Sequence, residues 1–152
     1  MTSFFRQPTD PDAPSVLHGA PFTARQVAAV WAGGTAGCAL RALADRAGPD
    51  GGGLPVAILV VNLLGAFLLG LLLELLALRG DDSGVRRRLR LTLGTGLLGG
   101  FTTYSAFAVG TVRLLQADRV GTALTYLCLT VVVGPLLAWV GIATARLLGG
   151  RP

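Results

Sequence analysis

Lysine is absent: all 13 basic residues are arginine, set against 8 acidic ones. Only 14% of the 152 residues are charged, where a soluble domain carries about 25%. That deficit excludes an ordinary soluble globule. The net charge of +5 does not call for a nucleic-acid partner. The arginines flank apolar runs, where membrane topology accounts for them. Histidine occurs once, as His18, and cysteine twice, as Cys38 and Cys128. Both cysteines lie inside apolar runs and are expected to be buried as small apolar residues. No carboxylate pair, Cys–His set or Walker or Rossmann signature is present, so no enzyme is expected. The glycine-rich stretch GTGLLGG at 94–100 lacks the Lys-Ser/Thr of a phosphate loop and lies in an apolar run. Residues 1–20 hold Pro, Asp and Thr and no apolar core of the length a signal peptide needs. Residues 1–22 are expected to be a disordered tail, with 23–150 as one membrane domain.

What is abundant is apolar. Hydrophobic residues make up 52% of the chain, and the mean hydropathy is +0.64. A spanning helix needs about 20 mostly apolar residues. Four stretches qualify: Val27–Ala44, Leu54–Leu78, Leu91–Val112 and Val120–Ala145. The intervening stretches at 45–53, 79–90 and 113–119 carry Gly, Pro, Asp and Arg, which is loop chemistry. The expected fold is an all-α integral membrane bundle of four transmembrane helices. With an even number of crossings, both termini face one side. Lipid gives helices no hydrophobic reason to associate, so small residues must let them approach. Gly33 and Gly37, Gly65 and Gly70, and Gly94, Gly96, Gly99 and Gly100 provide them. Four helices make a thin wall around any polar path, and a dimer would thicken it.

Several polar groups lie within these spans. Asn62 is either half of a helix–helix hydrogen bond or a donor lining a pore. Thr102, Thr103 and Ser105 directly follow Gly99-Gly100, where a helix is weakest. A helix broken there frees backbone groups, which is tolerable only around a polar path or an ion. Tyr104 and Phe107 share a helix face with Thr111. They either pack, or turn electropositive ring edges toward a small anion. Tyr126 and Thr130, four apart, place two hydroxyls on one face. Arg41 reads as a snorkelling anchor. Glu74, near Arg79 and the end of its span, reads as interfacial.

Taken in order, GGTAGCALR at 33–41, VNLLGAFLLG at 61–70, GGFTTYSAF at 99–107 and YLCLT at 126–130 resemble the CrcB/Fluc fluoride-channel family over about residues 25–148. The resemblance implies a passive fluoride-selective channel that exports cytoplasmic fluoride across the cell's inner (plasma) membrane. It implies a third helix broken at Gly99–Thr103 and an antiparallel dimer with two pathways. It also implies a structural sodium ion at the dimer centre, held by the backbone carbonyls of Gly99 and Thr102. The fluoride pathway then maps to Asn62, Tyr104, Phe107, Ser105, Tyr126, Thr130 and Arg41. The sequence departs from the family pattern at Tyr104, where Phe is usual. Ala57-Ile58 replaces Gly-Thr, and Ala106 replaces Thr. Two alternatives remain: a proton-coupled exporter of the small multidrug resistance type, and a non-conducting partner subunit. The exporter needs a carboxylate in the first span, and none is there.

Arginine is distributed unequally. Nine arginines fall on the side of the termini, five of them between Arg79 and Arg90, and four on the other side. By the positive-inside rule this predicts a cytoplasmic N-terminus. It leaves two candidates for the partner: a second copy inserted the other way, or an oppositely biased homologous subunit.

Overall fold

The computed structural model describes residues 23–48 and 53–149. The expected tail at 1–22 and His18 lie outside the described residues. Every described element is helical, and no strand occurs among them.

Helix α1 (Ala24–Ala47) opens on a capping box, in which Thr23 and Gln26 exchange side-chain-to-backbone bonds. Helix α2 (Val56–Ala77) follows Pro55, whose missing N–H suits a helix start. Next come α3 (Gly84–Leu89), a π-helical segment π1 (Arg90–Leu98), and the single turn α4 (Gly99–Phe101). Thr102 and Thr103 then adopt extended backbone angles before α5 (Tyr104–Gln116) begins. The apolar stretch 91–112 is therefore not carried by one continuous helix. Gly99 and Gly100 stay helical, and the chain leaves the helix two residues later.

Helices α6 (Val120–Cys128) and α7 (Gly134–Gly149) are joined by a second π segment, π2 (Leu129–Val133). Pro135 explains it. A proline inside a helix removes one donor and crowds the preceding turn, and a widened turn absorbs both effects. Together α6, π2 and α7 make one continuous helical stretch, Val120–Gly149. Among the described residues, that stretch, α1 and α2 are the three helices long and apolar enough to cross a membrane.

Two seams of close backbone approach organise the bundle. In one, α1 packs on π1 and α4. A Cβ on Gly33 or Gly37 would overlap the carbonyl of Thr92 or Leu97, and one on Gly100 would overlap the carbonyl of Gly34. In the other, α2 packs on α7, with Gly70 against the backbone of Ala138 and Gly141 against that of Phe67. The buried core is small: Leu59, Phe107, Leu114, Ala123 and Tyr126 form its main cluster. Large apolar side chains such as Trp31, Val131 and Trp139 cover the outside, as a lipid-facing surface requires. Cys38 and Cys128 belong to that outside. The expectation of buried thiols fails here, because an apolar run in lipid has no polar face to mark its outer side.

Glu74 accepts a hydrogen bond from Nε of Arg146 at 2.7 Å, tying α2 to α7. It thus pairs with Arg146, not with the nearby Arg79.

Candidate functional site: an interrupted helix clamped by an asparagine

The site is built around the interruption at Thr102-Thr103. A continuous helix would direct the amide of Thr103 to the carbonyl of Gly99, and that of Ala106 to the carbonyl of Thr102. Neither bond forms. The amide of Thr103 donates to Oδ1 of Asn62 at 2.8 Å, and Nδ2 of Asn62 donates to the carbonyl of Thr103 at 3.0 Å. The amide of Ala106 donates to Oγ1 of Thr103 at 3.3 Å, the usual N-cap arrangement for α5. The carbonyls of Gly99 and Thr102 thus lose their helical partners.

Helix α2 holds this arrangement with two residues one turn apart. Asn62 clamps Thr103, and Gly65 leaves room for Thr102, whose methyl an added Cβ would overlap. The spacing N-x-x-G in VNLLG therefore has a steric as well as a polar reason. On the other side, Nε of Arg41 donates to the carbonyl of Gly100 at 3.4 Å. Arg41 reaches inward to the last turn before the interruption, so the snorkelling reading does not describe it.

The hydroxyls sort into two kinds. Thr102 and Thr111 donate back to carbonyls four residues earlier, Leu98 and Phe107, which is their ordinary helical use. Thr103 and Ser105 hydrogen-bond each other at 3.1 Å. By contrast, the Tyr126 hydroxyl and Oγ1 of Thr130 are buried and have no partner among the described residues. Thr130 sits in π2, and such bulges are frequent at functional positions.

Three aromatic rings run from the surface inward. Tyr104 is 81% exposed, whereas Phe107 and Tyr126 are buried. The Tyr104 and Phe107 centroids lie 5.9 Å apart, tilted by 54°. Those of Phe107 and Tyr126 lie 5.2 Å apart, tilted by 53°. The shared face expected of Tyr104, Phe107 and Thr111 is thus buried only from Phe107 onward.

A groove of about 690 Å³ runs past Asn62, Thr102, Thr103, Tyr104, Phe107 and Thr130, walled by apolar side chains of α2 and α7. A second cavity of about 630 Å³ opens beside Ser105, Ala57, Ile58, Asp45 and Arg113. The structure therefore brings Asn62, Tyr104, Phe107 and Thr130 together in one groove and joins Tyr126 to it through Phe107. Ser105 lies across the Thr103 cap in the second cavity, and Arg41 is behind the interruption. Sequence reasoning missed the role of Thr103, which joins clamp, cap and hydroxyl pair. A Thr just ahead of a new helical run was the available signal. That Asp45 and Arg113 line the same cavity left no local signature in the sequence.

Comparison with known proteins places the chain in a family. The family model described as "CrcB-like protein, Camphor Resistance (CrcB)" matches residues 28–142. A fluoride-specific ion channel FluC 2 of Leifsonia xyli is 47% identical over 138 residues, covering 91% of this chain and 92% of its own. A fluoride-specific ion channel FluC 1 of Cutibacterium acnes is 45% identical over 126 residues, covering 82% and 88%. One from Thermus thermophilus is 47% identical over 94 residues, covering 62% and 71%. With a family model matching residues 28–142 and relatives 45–47% identical over most of its length, the chain belongs to the CrcB family.

Proposed function

We propose that this multi-pass membrane protein is a passive fluoride channel, and not an enzyme, that lets fluoride leave the cytoplasm across the inner (plasma) membrane. The observation that carries the reading is the Asn62–Thr103 clamp. It keeps a helix open in the middle of an apolar span, beside a tilted row of aromatic rings.

The opened helix has two chemically opposite ends. Where α4 stops, carbonyls point out with partial negative charge. Where α5 starts, the first amides and the helix dipole offer partial positive charge. An anion path belongs on the α5 side. Fluoride is small and tightly hydrated, so a pore must replace part of its water shell with N–H and O–H donors. Asn62, Ser105, Tyr126 and Thr130 are the candidates, and the unpartnered hydroxyls of Tyr126 and Thr130 have donor capacity to spare. Ring edges of Tyr104 and Phe107 attract an anion without the deep well that an ammonium group would create. Arg41 adds positive charge behind the interruption. The driving force is the membrane potential, about 2.3 kcal/mol per elementary charge per 100 mV.

The α4 side suits a cation. The freed carbonyls of Gly99 and Thr102 fit a hard ion such as sodium. The described residues contain no group of three His, Cys, Asp or Glu side chains that could hold a metal, so backbone oxygens are the donors. When bound, sodium supplies a fixed positive charge that braces the two interruptions.

Two freed carbonyls and an exposed Tyr104 ring are poor surfaces to leave against lipid. An antiparallel dimer of four-span subunits, with segment 84–116 as the third and broken span, covers both. The arginine bias favours a cytoplasmic N-terminus and a homologous, oppositely biased partner over a second copy. The exporter alternative finds no support in α1, whose only carboxylate is Asp45 in its final turn.

Expression in a bacterium stripped of its own fluoride exporter tests the function. Growth in millimolar fluoride should be restored, alone or with the partner subunit. No rescue in either case, with the protein present in the membrane, overturns the reading.

A further inference from the structure

We infer that the arginine-rich end of the bundle, centred on Arg87 and Arg88, is a docking surface for anionic phospholipid headgroups. Between Arg79 and Arg90 the chain carries five arginines and two aspartates. The internal bonds there are already assigned. Nε of Arg90 holds Oδ1 of Asp82 at 3.0 Å, and its Nη2 holds Oδ2. This bidentate bond keeps the Asp82 carboxyl below its ordinary value. Nε of Arg86 donates to the carbonyl of Asp81 at 2.7 Å. Arg146, at the same end, is paired with Glu74. Arg87 and Arg88 form no ion pair and no hydrogen bond among the described residues, and Arg87 reaches Asp82 only through its longer-range field.

The position of these guanidinium groups identifies the ligand. They sit on α3, directly before Leu91, where the uncharged stretch 91–112 begins. On the same short helix Val85 and Leu89, one turn apart, are 67% and 39% exposed. This short helix therefore offers two apolar side chains on one face, with Arg88 beside them, and Arg87 around the helix from that face, so that acyl chains and phosphate both lie within reach of two unpaired, planar, five-donor cations. A soluble anion would use only the arginines. A lipid uses both sets, and juxtamembrane arginines attract anionic leaflets strongly. The surface lies on the side that the arginine bias assigns to the cytoplasm, and it is independent of the ion pathway.

Native mass spectrometry of the full-length protein in neutral detergent tests this, with phosphatidylglycerol or phosphatidylcholine added. Phosphatidylglycerol should bind well above phosphatidylcholine. The double variant Arg87→Gln/Arg88→Gln should weaken it by about 25-fold, roughly fivefold per charge. Arg87→Lys/Arg88→Lys should retain most of the binding. Arg46→Gln, at the opposite end, should change nothing. Inorganic phosphate at equal concentration should not compete. Equal binding of both lipids, full binding by the Gln variant, an equal loss in Arg46→Gln, or displacement by inorganic phosphate would each overturn the inference. All variants are checked for an unchanged elution volume. If the Gln variant fails to remain folded, Arg88→Gln alone, at an exposed position, carries the same comparison at about fivefold.

Discussion

Replacing Asn62 with leucine keeps the branched shape of the side chain, at a larger volume, and removes the clamp. The two hydrogen bonds to Thr103, at 2.8 and 3.0 Å, would each be worth only about 0.6 kcal/mol by the average for interhelical bonds in membranes. Leaving a half-buried amide and carbonyl unsatisfied costs more, up to about 1–3 kcal/mol each. These bounds meet because the chain can relax. If the helix rewinds, the Thr103 amide returns to Gly99, and only the carbonyl must find a new partner. The expected cost of holding the open form is then about 2 kcal/mol, or roughly a 30-fold shift toward the rewound helix. Two readouts follow from one perturbation. The denaturation midpoint of the purified protein should fall, and fluoride flux should fall by at least tenfold. If flux is lost while the midpoint is unchanged, Asn62 acts only as an ion ligand and the clamp argument is wrong. If neither changes, the interruption does not depend on Asn62 at all.

Phe107→Ile should abolish conduction yet leave assembly intact, because an aliphatic side chain still fills the site but has no electropositive ring edge; flux at the parental rate would refute the ring-edge role. Tyr104→Phe should be tolerated, since it removes only the hydroxyl and keeps the ring and its edge. Gly37→Ala should disrupt the α1 seam, where a Cβ would overlap the carbonyl of Leu97, whereas Gly121→Ala, with nothing within 4 Å, should be neutral or stabilise by up to about 1 kcal/mol; thermal melts decide between them. Removing sodium should loosen the dimer and stop flux, and Thr102→Ala should be mild, because the proposed ligand is its backbone oxygen; size-exclusion and flux measurements in potassium-only and sodium-containing buffers check this. Cysteines introduced at Ser83 and Gln116 should label from opposite sides only, in cells expressing this chain alone; labelling of each site from both sides would mean dual topology.

The glycine seams could be read from sequence because lipid leaves few other reasons for glycine at helical spacing in an apolar run. The partner of Asn62 could not, since it is a backbone group 41 residues away, and an amide's spacing does not reveal whether it will meet an ion or a peptide. The weak point at Gly99-Gly100 was visible, but the glycines themselves stay helical; the departure comes at Thr102 and Thr103, where Asn62 takes the Thr103 amide and the Thr103 cap takes that of Ala106. Nothing in LTVVV at 129–133 announces a π segment apart from Pro135 just beyond it. The cysteines were misplaced because hydrophobicity, which separates inside from outside in water, separates nothing in lipid. Arg41 was misread for a related reason: a cation near a span end has two polar destinations, the interface and an opened helix, and the second exists only once the interruption is known.

Fluoride efflux from liposomes tests the central claim most directly. Purified protein, with its partner subunit if one is required, is reconstituted and efflux is triggered by a potassium diffusion potential, with and without a proton gradient. The account predicts fluoride efflux that follows the electrical potential, is indifferent to the proton gradient, and is not matched by chloride. Efflux that requires the proton gradient, or that passes chloride as readily as fluoride, would contradict it.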